Sequence, residues 1–400
     1  MRDIQRIGVL GAGTMGAGIA QVAAEAGLEV ALLDPVSGAY ERARDRIGGF
    51  LERRVAKGEL NAGLAEAAMG RIREAASVAD LAAAEFVIEA IPEEMDLKRD
   101  AFRQLDAAAG PSTILATNTS SLSVGRIAEA ATRPERVVGM HFFNPVPLMA
   151  LVEVIGASRT DRDVVEAAVA LARQLGKTPV EAADTPGFIV NRVARPFYLE
   201  ALRILGEGAS DAPTIDATMR EAGFRMGPFE LIDTIGLDVN LAVSESVWEG
   251  FGRAPRYLPH ALQRVLVKAG RLGRKSGAGF YDWTDGERGA PWVGLAPDPA
   301  PRGVEPVHAD AITERILATV VNEAVSAVED RTASPAAIDT AMRLGTNWPE
   351  GPLAWGERLG LERVVALLDA LGTTAPDARY AVVPLLRSLA GSGGSFFDAT

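Results

Sequence analysis

The sequence predicts an α/β protein: a doubly wound, mostly parallel sheet followed by an all-α region present in two tandem copies. Three observations carry this. Short β-rich runs alternate with helical segments as far as Asp184. A glycine-rich turn joins the first run to the helix after it. Beyond Asp184 the β signal nearly stops, and the helical stretch that follows repeats itself.

Bulk properties narrow the function. A chain of 400 residues, 48% of them hydrophobic, has material for more than one core. No uncharged apolar run approaches the ~18 residues of a membrane span. A net charge of -12 argues against nucleic acid as the main partner. Cysteine is absent, which excludes disulfides, thiolate metal sites and cysteine nucleophiles. No metal centre is expected, and a cytoplasmic setting is. The opening MRDIQRIGVLGAG enters an apolar strand at once, so no signal or transit peptide is expected.

Taken in order, RIGVL (6–10) is the first strand, and GAGTMG (11–16) follows it. Gly11, Gly13 and Gly16 have the G-x-G-x-x-G spacing, suited to a tight turn, close approach of a pyrophosphate and helix-on-strand packing. The next helix starts at Thr14 and Met15 and offers unpaired N–H groups to a phosphate. LEVALLD (28–34) is the second strand and ends in Asp34, which can accept the ribose hydroxyls of an adenosine and would repel a 2′-phosphate. No arginine follows it in PVSG (35–38). Strand, glycines, helix, strand and terminal acid together make a Rossmann unit for NAD rather than NADP.

Further strands are expected at 85–91, 113–118, 136–143, 151–155 and 178–183. Helices are expected at 188–206, 213–222, 228–250 and 256–270, closing at GRKSGAGFYDW (273–283). Residues 284–307, rich in proline and glycine, read as a linker. Residues 192–238 then match 315–362, with landmarks Glu200/Glu323, Asp216/Asp339, Met219/Met342 and Gly227-Pro228/Gly351-Pro352. The expected domains are 1–184, 185–283 and 308–400, the last a second copy of the helical module. It has Glu314 where the first has Asn191.

HFFNPVPLMALVEVI (141–155) holds one of only three histidines. A dehydrogenase acting on an alcohol needs a base, and an imidazole steadied by a carboxylate suits that role. His141 and Glu153 lie on consecutive strand-like runs that could bring them within hydrogen-bond reach. Glu153, flanked by apolar residues, would be a costly buried charge unless paired.

Over almost its whole length the chain resembles the L-3-hydroxyacyl-CoA dehydrogenase family, in a form with a duplicated C-terminal domain. The likeness lies in GAGTMGAGIAQVAAEAG, VIEAIPEEMDLK, NTSSL, HFFNPVPLMALVEVI, DTPGFIVNR, GPFELIDTIGLD and GRKSGAGFYDW. It implies NAD-dependent oxidation of (S)-3-hydroxyacyl-CoA to 3-oxoacyl-CoA, reversibly, in β-oxidation, butyrate-type or phenylacetate-type metabolism. It places catalysis on His141, Glu153, Ser120 and Asn191, and cofactor contacts on Asp34, Glu93, Lys98 and Asn118. Ser120 and Asn191 would come from different domains, with the site in the cleft between them. The family's CoA phosphates fall on a helical region here represented by Arg54 and Lys57, although a solvated helix face explains that mixed-charge stretch as well. A fused second module implies a monomer with an internal pseudo-twofold, with a homodimer as the alternative. Acyl length and any terminal carboxyl stay open, between 3-hydroxybutyryl-CoA and 3-hydroxyadipyl-CoA. Competing readings are a dehydrogenase of a non-CoA hydroxy acid or sugar acid, resembling the gulonate dehydrogenases, and a non-catalytic NAD-binding protein.

Overall fold

The computed structural model describes residues 4–292, 294, 308–375 and 377–398. The chain divides into two compact units, Met1–Phe188 and Ile189–Thr400. The first is built on eight strands: β1 (Arg6–Leu10), β2 (Glu29–Leu33), β3 (Ile72–Glu74), β4 (Phe86–Glu89), β5 (Ile114–Thr117), β6 (Val137–Phe142), β7 (Leu151–Gly156) and β8 (Thr178–Ala183). Their order across the sheet is β3-β2-β1-β4-β5-β6-β7-β8. Every neighbouring pair is parallel except β6 and β7, which are antiparallel. Strand order turns at β1, the switch point beyond whose carboxyl end such sheets bind ligands.

The central strands are apolar almost throughout because helices cover both faces. Helix α1 (Thr14–Glu25) buries Gly16 through Ala24, and its run of small residues lets it lie close on the sheet. Strand β3 was not predicted: it has three residues and buries only Ile72, so it lacks an alternating signal. The expected boundary at Asp184 lies close to the division between the two units after Phe188. The Asp184 carboxylate accepts from Ser123 Oγ (2.8 Å), Val124 N (2.9 Å) and Gly125 N (2.8 Å), which ties this segment to the first unit.

The second unit is helical. The helix expected over 228–250 is two, Pro228–Ile235 and Leu237–Gly250, broken at Gly236 where φ is +103°. The first residues of the expected linker, 284–291, belong instead to a hairpin. Residues 281–291 form an antiparallel hairpin of β9 (Tyr281–Thr284) and β10 (Glu287–Pro291), whose fully exposed second strand has no apolar pattern to betray it. Residues 293 and 295–307 of the expected linker lie outside the described residues.

The repeat's two glutamate landmarks each receive donors from the other half of this unit. Glu323 accepts from Arg192 Nε (2.6 Å) and Tyr257 Oη (2.6 Å). Glu200 accepts from Arg315 Nε (2.6 Å) and Tyr380 Oη (2.8 Å). Arg192 with Tyr257, downstream of the first stretch, thus answers the second stretch's buried glutamate, and Arg315 with Tyr380, downstream of the second, answers the first's. The remaining landmarks form caps. Asp216 accepts from Phe229 N (2.9 Å) and Glu230 N (3.1 Å), and Asp339 from Leu353 N (2.8 Å) and Ala354 N (3.0 Å). In both stretches proline opens the capped helix, and the glycine before it has no room for a Cβ: one would lie 2.3 Å from Asp216 Cα or 2.1 Å from Asp339 Cγ.

Burial pushes the Glu200 carboxyl up, but Arg203, Arg315 and its hydrogen bonds outweigh this and hold it below its ordinary value of 4.5. Its ionised form therefore contributes stability above pH 4.5 that is lost as pH falls through the folded value. Glu200→Gln, which leaves the buried Arg203 guanidinium without its carboxylate while Arg315 keeps Glu207, is expected to cost about 3–5 kcal/mol at neutral pH in urea unfolding. The gap between variant and wild type should narrow below pH 4.5. A gap that is flat with pH would show that the carboxylate's charge is not what matters.

Candidate active site

The antiparallel register sets His141 directly opposite Glu153, so both side chains leave the same face of the sheet. Nδ1 of His141 lies 2.6 Å from Oε2 of Glu153. The histidine is 6% exposed and the glutamate 0%. A carboxylate can only accept, so this contact places the ring proton on Nδ1 and leaves Nε2 as the basic nitrogen. Phe143 packs on the ring at 4.4 Å between centroids, with Phe188 at 6.0 Å.

The glycine loop has the shape of a dinucleotide cradle. A Cβ at Gly11 would lie 2.5 Å from Ala90 O, and one at Gly16 1.8 Å from Gly11 O. These two glycines are demanded by the loop's own packing. Gly13 instead faces open space and precedes α1 with no side-chain cap, leaving helix N–H groups for a phosphate. Thr14 and Met15 form the first turn. Asp34, just past β2, accepts from Ala12 N (2.7 Å) and Val36 N (2.9 Å), which fixes its carboxylate beside the loop. These residues fit NAD.

Ser120 lies in a loop gathered around Glu93. Oε1 of Glu93 accepts from Thr119 Oγ1 (2.7 Å), Ser120 N (2.8 Å), Ser121 N (3.0 Å) and, at 3.2 Å, both serine hydroxyls. Burial pushes the Glu93 carboxyl up, but Lys98 and these donors more than offset it and hold it below the ordinary glutamate value. Lys98, expected as a cofactor contact, is only 1% exposed. Its ammonium lies 2.6 Å from Glu89 and 3.3 Å from Glu93, so in this structure it steadies Glu93 from within. Glu89 was missed because VIEA reads as ordinary strand. It also accepts from Ile91 N (2.7 Å) and Thr117 Oγ1 (2.7 Å). Asn118 Oδ1 accepts from Phe142 N (2.9 Å), joining the serine loop to the residue after His141.

The turn between β6 and β7 is held on two sides. Lys177 donates to Val146 O (2.5 Å) and Met149 O (2.9 Å). Val146 fills the space at Gly18 of α1, where a Cβ would lie 2.8 Å from that of Val146. Neither Gly18 nor Lys177 was singled out in the sequence, because neither has a motif of its own. Beside the turn is a cavity of about 580 Å³ lined by Phe50, Arg53, Arg54, Lys57, Leu148 and Lys177, among others. Arg54 is engaged by Glu25, whereas Lys57 is exposed at the end of helix α2 (Ala39–Ala56). Asn191 belongs to the second unit, where its carbonyl accepts from Arg195 Nε (2.8 Å).

A doubly wound sheet with a fitted NAD cradle and a buried imidazole–carboxylate pair defines a nicotinamide-dependent dehydrogenase. The model for the 3-hydroxyacyl-CoA dehydrogenase NAD binding domain matches residues 6–185, and that for the C-terminal domain matches 187–283 and 312–394. The 3-hydroxyadipyl-CoA dehydrogenase of Escherichia coli (strain K12) is 39% identical across 98% of both chains. The 3-hydroxybutyryl-CoA dehydrogenase of Clostridioides difficile is 39% identical over 70% of this chain and 99% of its own. A crystal structure of 3-hydroxybutyryl-CoA dehydrogenase from Escherichia coli K12 superposes with a TM-score of 0.89 at 38% identity, covering 98% of this chain and 100% of that one. The chain belongs to the 3-hydroxyacyl-CoA dehydrogenase family. It is an NAD-dependent oxidoreductase.

Gly18→Ala should overpack the contact with Val146 and cost about 1–3 kcal/mol in denaturant unfolding. Combined with Val146→Ala, the loss should be smaller than the sum of the two, with a coupling of about 0.5–3 kcal/mol. Strict additivity would mean that these residues do not hold the turn to α1.

Proposed function

We propose that this chain oxidises (S)-3-hydroxyacyl-CoA to 3-oxoacyl-CoA with His141 as the general base, and catalyses the reverse reduction. The 2.6 Å contact between His141 and Glu153 carries the reading. Bound NAD supplies the hydride acceptor. His141 Nε2 takes the substrate's hydroxyl proton, and Glu153 stabilises the resulting imidazolium and holds the ring in one orientation. The Ser120 hydroxyl and the Asn191 amide position the reacting oxygen. Asp34 receives the adenosine ribose, and Gly11, Gly13, Thr14, Met15 and Gly16 the pyrophosphate. Glu93, supported by Lys98, and Asn118 shape the nicotinamide side. Lys57, exposed beside the cavity, meets the CoA phosphates, while Arg54 orders that wall through Glu25.

Acetoacetyl-CoA should drive NADH consumption, followed spectrophotometrically, and acetoacetate without CoA should not. His141→Gln should lower kcat by roughly 10²–10⁴-fold. A loss below about threefold would remove His141 from the mechanism.

The domain reading is part of the same proposal: a dinucleotide-binding domain to about Asp184, then two copies of one helical module. The reciprocal Arg–Glu–Tyr contacts support it. With each copy's buried glutamate answered within the chain, a second chain is not needed to answer them. A monomer is the expected state by sedimentation, and an obligate dimer would overturn this. A cytoplasmic setting is part of the same proposal. Among the described residues, no helix is long and apolar enough to cross a membrane.

A further inference from the structure

The helical unit buries several arginines, and most have a carboxylate. Arg192 pairs with Glu323, and Arg203 and Arg315 with Glu200. Arg195, 4% exposed, is different. Its Nε donates to Asn191 O (2.8 Å), and its Nη1 to Ser244 Oγ (3.2 Å) and Asn240 O (3.4 Å). Its guanidinium lies 4.8 Å from the Tyr198 ring centroid. None of these partners is an acid. Burial pushes its pKa down to about 10, with only Tyr198 opposing. Beside it, Asn240 is 1% exposed. The Asn240 Oδ1 accepts from Gln263 Nε2 (2.7 Å), but its Nδ2 has no partner. An uncompensated buried cation thus lies next to an unused buried donor, an arrangement costly by itself.

The second copy shows that the fold does not require it. Aligned on Arg192/Arg315, the counterpart of Arg195 is Ala318. Aligned on Gly236/Gly360, each opening the next helix, the counterparts of Asn240 and Ser244 are Val364 and Leu368. All three are buried and apolar. One scaffold is thus filled with hydrocarbon in one copy and with an unpaired guanidinium in the other.

We propose that Arg195 and Asn240 Nδ2 bind a carboxylate at the far end of the substrate's acyl chain, making dicarboxylic 3-hydroxyacyl-CoA thioesters the preferred class. This rests on the reading of Asn191 as the group that positions the reacting oxygen. Arg195 follows Asn191 by about one helical turn, a rise of ~5.4 Å. In a six-carbon diacid the terminal carboxyl carbon is three carbon–carbon bonds beyond C3, a comparable reach. The carboxylate supplies the negative charge and acceptor oxygens that Arg195 and Asn240 lack.

The test compares kcat/KM for (S)-3-hydroxyadipyl-CoA and (S)-3-hydroxyhexanoyl-CoA, which differ only at that end. Wild type should favour the diacid by roughly 10–100-fold, as for a charged hydrogen-bonded contact. In Arg195→Met the ratio should fall to about one, and Arg195→Lys should recover part of it. A wild-type ratio at or below one overturns the proposal, as does an equal loss on both substrates in Arg195→Met, which marks a purely structural arginine. Binding of adipoyl-CoA against hexanoyl-CoA to wild type needs neither turnover nor a variant. Tighter adipoyl-CoA binding supports the proposal, and equal or weaker binding overturns it. Absence of turnover with both substrates counts against the dehydrogenase mechanism, while the binding comparison still decides this inference.

Discussion

A carboxylate in the middle of a sheet is tolerable only if something charged or strongly polar faces it, and for Glu153 that partner is His141 at 2.6 Å. The pairing requires the one reversal of direction in the sheet. β6 and β7 run antiparallel, so a short turn can return the chain with the two residues in register, where a parallel neighbour would have needed a long crossover. The turn then becomes the structural hinge of the site. It rests on α1 through Val146 and Gly18, and Lys177, at the entrance to β8, holds its carbonyls. The helix that follows the glycine loop and the strand that carries His141 are therefore spaced by the same few side chains.

What could be read from the sequence was what is local. The glycine loop, Asp34 and the HFFNP stretch declare themselves within a few residues, because turn geometry and strand alternation are short-range properties. The Glu89–Lys98–Glu93 chain could not be read this way. Glu89 sits in a run that scans as a strand and Lys98 on a helix face that scans as solvated, yet the two meet in the interior. Charge pairing of that kind is set by the packing of a helix on a sheet. Similarly, Gly236 breaks a helical pattern whose apolar residues continue past it, and the β9–β10 hairpin has too little buried surface to mark itself.

The two helical stretches show which residues a scaffold needs. The arginine, glutamate and tyrosine that cross between them are present twice, as are the aspartate, glycine and proline of the capped helix. The glycine–proline pair is explained by sterics, since an incoming aspartate occupies the space of the glycine's Cβ and proline removes a donor that would otherwise go unpaired. Not every difference signals function. Arg203 has Ser326 as its counterpart, yet both serve the same kind of cluster, Arg203 by pairing with Glu200 and Ser326 by accepting from Arg192.

Functional divergence looks different from that compensation. Where the first of the two matching stretches is preceded by Asn191, the second is preceded by Glu314, which pairs with Arg363 at the surface. Where the first has Arg195, Asn240 and Ser244, the second closes the space with alanine, valine and leucine. A scaffold free to choose hydrocarbon at these positions does so in the copy without the asparagine. In the copy with it, the interior keeps a cation without an anion, a state that burial alone disfavours. The simplest physical account is that the missing charge arrives with the substrate. Specificity would then come from desolvating a carboxylate only where it can be answered, so an uncharged acyl end of the same length would leave the cation unpaired.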